Sequence, residues 1–104
     1  MTTDHERQRE TTITSIQEAV ARQFGLSVEE LLRERKRVVV IPRHIAIYLA
    51  KQMTDASLPE IGKYFGGRHQ STVMQSIATV HDQRRSDAAL DNLISKLMTS
   101  LAQS

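Results

Sequence analysis

The chain has no cysteine and no tryptophan, and only two prolines, four glycines, two phenylalanines and two tyrosines among its 104 residues. Without cysteine neither a disulfide nor a thiolate metal site can form, which is compatible with a reducing compartment. The length suits one domain, whose core must be mostly aliphatic. No apolar run approaches the roughly 18 residues of a membrane-spanning helix. The polar start, Met1 to Glu10, lacks the apolar centre of a signal peptide. A cytoplasmic protein with no membrane partner is expected. The formal net charge is only +2, so the distribution of charge matters more than its sum. Catalytic groups are missing as well. Gly62-Lys63 is not set in the Gly-x4-Gly-Lys-Ser/Thr frame of a phosphate-binding loop. His44, His69 and His81 lack the close spacing of a zinc site. No nucleophile–base constellation stands out, so no enzymatic activity, no cofactor and no metal is expected.

What is present is helical periodicity. Residues 1–10 have no apolar face and are expected to form a flexible arm, leaving 11–104 as the domain. Ile13, Ile16, Ala19, Val20 and Phe24 recur at three- and four-residue steps and predict a first helix, stopped by Gly25. Ser27 and Glu30 have the spacing of a capping box for a short second helix, with Leu26 and Leu31 at the spacing of a hydrophobic staple. Five basic side chains then fall between Arg33 and Arg43. The β-branched run Val38 to Ile41 finds no partner strand and, lying before Pro42, is expected to be extended. A third helix should start at Pro42 and bury Ile45, Ala46, Leu49, Ala50 and Met53, leaving Arg43 and His44 off that face. A last helix from about Asp87 to Leu101 carries Leu90, Leu93, Ile94, Leu97 and Leu101.

The most informative stretch is Ser57 to Met74. Ser57 and Glu60 form another capping box, Pro59 sits in the first turn, and Leu58, Ile61, Tyr64 and Phe65 share one face. Gly66-Gly67 can end that helix, because glycine enters the left-handed conformation without a Cβ penalty. A fifth helix follows, from about His69–Ser71 to Gln83, with Val73, Met74, Ile77, Val80 and His81 as its expected core side. Two helices joined by a short glycine turn make a helix-turn-helix. The free side of the second helix near its start is His69, Gln70, Ser71, Thr72, Gln75 and Ser76, polar but nearly uncharged, and small amides and hydroxyls suit base edges. Arg68 and Lys63 are placed for phosphates, and Gln75, one turn further on, is expected at the DNA backbone. Arg37, taken to lie on a flexible basic loop, suits a minor groove. Double-stranded DNA is therefore the expected partner. A helical module that binds a replication initiator or regulatory protein is the alternative.

These residues also resemble a known family. Ile41-Pro42-Arg43-His44-Ile45-Ala46-Ile47-Tyr48-Leu49-Ala50, Ser57-Leu58-Pro59-Glu60-Ile61-Gly62, Phe65-Gly66-Gly67-Arg68 and Ser71-Thr72-Val73 are similar to the C-terminal DNA-binding domain of bacterial chromosomal replication initiators, DnaA. The resemblance covers roughly Ile13 to Leu101. It implies a compact all-α, Trp-repressor-like bundle of about six helices. It further implies binding to double-stranded DnaA boxes, with the recognition helix in the major groove and a loop arginine in the minor groove. Counting back from Pro42 assigns the loop arginine to Arg37, and the family's Pro-Arg pair makes Arg43 a DNA backbone contact. Two features depart from the family. The residues after Gly-Gly-Arg are Asp-His-Thr-Thr there and His69-Gln70-Ser71-Thr72 here, which implies a shifted site preference. The ATP-binding AAA+ module that precedes this domain in the family does not fit in 104 residues. Taken from Met1, the chain would be a free-standing DNA reader acting in replication initiation or transcription. As an excised fragment, it would belong to an initiator.

Overall fold

Thr12 opens the first helix. Its hydroxyl accepts from the Ser15 N–H (3.0 Å), and Ser15 Oγ accepts from the Thr12 N–H (3.0 Å). The computed structural model describes residues 11–103; the expected arm, residues 1–10, lies outside them. Six helices follow in order: α1 Ile13–Gln23, α2 Val28–Arg33, α3 Arg37–Met53, α4 Leu58–Tyr64, α5 Gln70–Ser86 and α6 Ala88–Gln103. No strand occurs among the described residues. The fold is the expected all-α bundle. Both predicted capping boxes form: Ser27 with Glu30 starts α2, and Ser57 with Glu60 starts α4.

Helix α3 is the hub and packs against all five other helices. Every residue from Ile45 to Ala50 is buried, as a helix surrounded on all sides requires. Ile16 and Val20 of α1, Leu31 of α2, Ile61 of α4, Val73 and Val80 of α5 and Ile94 of α6 close around it. Phe65, fully buried just past α4, is the largest core side chain. Its burial stabilises the fold by about 1.5–3 kcal/mol. Gln17 is a buried polar exception, and its Nε2 donates to the Tyr64 carbonyl (2.8 Å), tying α1 to the end of α4. At the far end of α5, Arg84 donates to Asp91 (2.7 Å) and to the Tyr48 hydroxyl (3.0 Å), which joins α5 to α6 and α3.

The structure corrects the expectation around Pro42. Residues Val38–Ile41 are helical, and α3 starts at Arg37 with Pro42 inside it. A proline there removes one donor and crowds the carbonyl four residues back, which belongs to Val38. Val38 is 74% exposed, so water can satisfy that carbonyl. In return Val39 and Arg43, four residues apart, fall on one buried face. Arg37 is therefore the first residue of a helix, not part of a flexible loop. Other expectations change too. Met74 (54% exposed) and His81, expected on the core side of α5, lie on the surface, as does Tyr64 (51%) of the apolar face of α4, while Ser76, expected on the free side, is buried. Helix α5 also runs one turn past Gln83, to Ser86.

Candidate nucleic-acid interface

The turn between α4 and α5 is built by close approach. Gly66 and Gly67 adopt φ of 81° and 74°, a left-handed pair that only glycine tolerates at low cost. The reversed chain brings the Arg68 N–H onto the Gly62 carbonyl (2.9 Å). Gly62 is buried in α4, and a Cβ there would drive into the Arg68 carbonyl. The pair of helices thus has one available spacing.

Beyond the turn, His69 caps α5. His69, Gln70, Ser71, Thr72 and Gln75 are all exposed. The first turn of α5 contains no acidic residue, so the positive end of the helix is left to an external anion. Lys63 is exposed in the last turn of α4, and Arg35, Lys36 and Arg37 are exposed between α2 and the start of α3.

The remaining two arginines behave differently. Arg43 is 6% exposed; its Nε donates to the Leu31 carbonyl (2.7 Å) and its Nη2 to the Glu34 carbonyl. This departs from the expectation of Arg43 off the buried face: its guanidinium is instead turned into the protein and holds the end of α2. Arg68 is half-buried, and its Nη1 donates to the carbonyls of Leu32 (3.1 Å) and Phe65. Two guanidinium groups, one from α3 and one from the turn, therefore grip consecutive carbonyls at the negative end of α2. Desolvation, then the Arg68 charge, lowers the Arg43 pKa against the opposing pull of Glu34. Desolvation and Arg35 lower that of Arg68. Both arginines remain charged, and their carbonyl partners offset the burial. The clamp fixes where the basic stretch leaves α2. Arg35 is the cation from that stretch whose charge is felt at Arg68, beside the glycine turn. Sequence reasoning named Arg37 with its neighbours in the charge run, which pointed to Arg35 equally.

A second link orients α5. His44 Nδ1 lies 2.8 Å from Ser76 Oγ, whose hydroxyl donates to the Thr72 carbonyl (3.1 Å). Ser76 is therefore the acceptor toward His44, and the imidazole carries its proton on Nδ1. His44 lines a shallow groove with Thr72, Gln75, Ser76 and Asp82. Desolvation first, then the charges of Arg43 and Arg68, hold its pKa below the usual value.

Comparison with known proteins accounts for this arrangement. Residues 13–80 match the family model for the bacterial DnaA protein helix-turn-helix. The chain belongs to that family. The DnaA match spans the capped α4, the double-glycine turn and the exposed start of α5. Among curated relatives, the chain is 37% identical over 97 residues to the chromosomal replication initiator protein DnaA of Geotalea daltonii, covering 92% of this chain and 22% of that protein. It is 43% identical over 90 residues to the DnaA of Lactobacillus delbrueckii subsp. bulgaricus, covering 86% and 20% respectively. The chain thus spans about a fifth of the length of these relatives. A solved structure described as a DNA replication initiation factor superposes with a TM-score of 0.79 at 27% identity, over 96% of this chain and 31% of that one.

Proposed function

We propose that this DnaA-type domain binds double-stranded DNA sequence-specifically at DnaA-box-like sites, acting at a replication origin or in the regulation of initiation or transcription. Its working place would be the cytoplasmic nucleoid; no described helix is long and apolar enough to cross a membrane. The observation that carries the proposal is the exposed, uncharged start of α5 flanked by exposed cations on two other elements. Helix α5 enters the major groove with His69, Gln70, Ser71 and Thr72 at base edges. Gln75 and Lys63 reach the backbone, with Arg68 holding the turn. The basic stretch, Arg35 to Arg37, faces the adjacent minor groove. This is a binding role, and ATP hydrolysis is not assigned to these residues.

The test is affinity for labelled duplexes as salt is raised. Log K should fall linearly with log salt, by about 0.9 per phosphate neutralised. A slope near zero refutes the proposal. The exposed apolar residues Val38 (74%) and Ile41 (47%) on α3 favour a second reading, a surface for the initiator or a regulatory protein. That reading predicts no duplex affinity and no comparable salt slope.

A further inference from the structure

His69 is an unusual helix cap. The side-chain caps of α1, α2 and α4 are hydroxyls, from Thr12, Ser27 and Ser57, and Asp87 caps α6 with a carboxylate. At α5 an imidazole takes that place: His69 Nδ1 accepts from the Ser71 N–H at 3.1 Å. Ser71 Oγ converges on the same nitrogen at 3.0 Å. A proton on Nδ1 would face the Ser71 N–H head-on, so this network places the ring proton on Nε2. The two ring nitrogens point in divergent directions. One is held on the helix, and the other directs an N–H outward from an exposed side chain. The Gln70 amide and the Thr72 hydroxyl can each donate or accept, while the Ser71 hydroxyl, donating to Nδ1, is left to accept. Among these four residues, only His69 is a fixed donor.

We infer that His69 is a specificity-determining residue that presents a single donor to the major groove, selecting a purine acceptor edge, guanine foremost, at the base pair it faces. Guanine offers N7 and O6 and adenine offers N7, whereas cytosine presents its N4 donor. Donor against donor would leave two N–H groups desolvated and unpaired. The inference rests on the DNA-binding reading above and adds the polarity of one contact to it.

The experiment is an unbiased selection of bound duplexes with the full chain, comparing wild type, His69→Asn and His69→Asp. Asparagine and aspartate are both strong helix caps, so either variant keeps the start of α5, which thermal melting verifies. Asparagine retains a donor, while ionised aspartate only accepts. Wild type should select a purine, guanine foremost, at one base pair, and His69→Asn, which keeps a donor, should still select a purine there. His69→Asp should change the choice at that pair alone, toward a base whose edge donates, by about tenfold. Placing 7-deazaguanine at that pair should weaken wild type and leave His69→Asp unchanged. Identical sites from all three proteins, or cytosine selected by wild type at the altered pair, would overturn the inference while leaving DNA binding intact. If none of the three enriches any duplex over the random pool, the DNA-binding reading itself fails and takes this inference with it.

Discussion

Replacing Arg43 with methionine separates two roles for a basic residue beside an expected DNA face. The substitution keeps an unbranched apolar stem and removes both bonds to α2. A hydrogen bond from a charged donor contributes about 1.5–3 kcal/mol. The Glu34 carbonyl is half-exposed and can take water, so its loss counts for little. The Leu31 carbonyl is part of a buried bond. The Arg35 N–H, which would serve it in a longer helix, donates instead to the Glu34 carboxylate (3.0 Å). Against this loss, removing a desolvated cation close to Arg68 returns part of the free energy. The expected net destabilisation is about 1–2 kcal/mol. That lowers the urea midpoint by about 1–2 M without unfolding a domain of ordinary stability. Arg43→Lys sharpens the test, because an ammonium keeps the charge but cannot span both carbonyls. It should fall between wild type and Arg43→Met in stability, because an ammonium can serve only one of the two carbonyls. Neither variant should change the salt slope of duplex binding. Full stability for Arg43→Lys would refute the clamp. So would a slope about one unit flatter for Arg43→Met at unchanged stability, the signature of a phosphate contact.

Gly62→Ala should destabilise the domain by about 1–3 kcal/mol through overpacking, since the obstructing atom is the backbone oxygen of Arg68; a melting temperature within a degree of wild type would contradict this spacing. His44 has a lowered folded-state pKa, so the unfolded chain takes up its proton first. Its stability contribution should be complete above its ordinary value of 6.5 and be lost as pH falls from there toward the folded pKa. Denaturation of wild type and His44→Gln across this window checks the sign, and a variant that loses as much stability as wild type on acidification would rule it out. Lys63→Ala should weaken binding to every duplex alike and flatten the salt slope by about one unit, whereas Gln70→Ala should relax preference at one position. A sequence-dependent loss from Lys63→Ala would reverse these assignments.

Much of the interface was legible because its determinants are local. A capping box closes over three residues, so Ser27 with Glu30 and Ser57 with Glu60 could be read directly, and both formed. The double glycine stopped α4 where expected, and the polar residues after it remained exposed. Three of the four family motifs lie in the same stretch. The errors arose where a local rule met a tertiary demand. Pro42 argues for an extended residue before it, yet a helix beginning at Arg37 buries Val39 and delivers Arg43 to α2. Periodicity placed Met74 and His81 inward, but only the packing of α5 on α3, α4 and α6 decides which side of that helix has a neighbour.

By itself, then, the sequence determined where α2 and α4 start and where α1 and α4 stop, because capping groups and glycine conformations act within a few residues; the start of α3 and the end of α5 were set by packing. It also determined which side chains stand at the tip of α5. The tertiary structure decided which arginines face solvent and which ring nitrogen of His44 carries the proton. Arg43 meets Leu31 twelve residues away, Arg68 meets Leu32 thirty-six away, and His44 meets Ser76 thirty-two away. Such partners are chosen by how helices pack, and a charge run or a lone histidine contains no record of them.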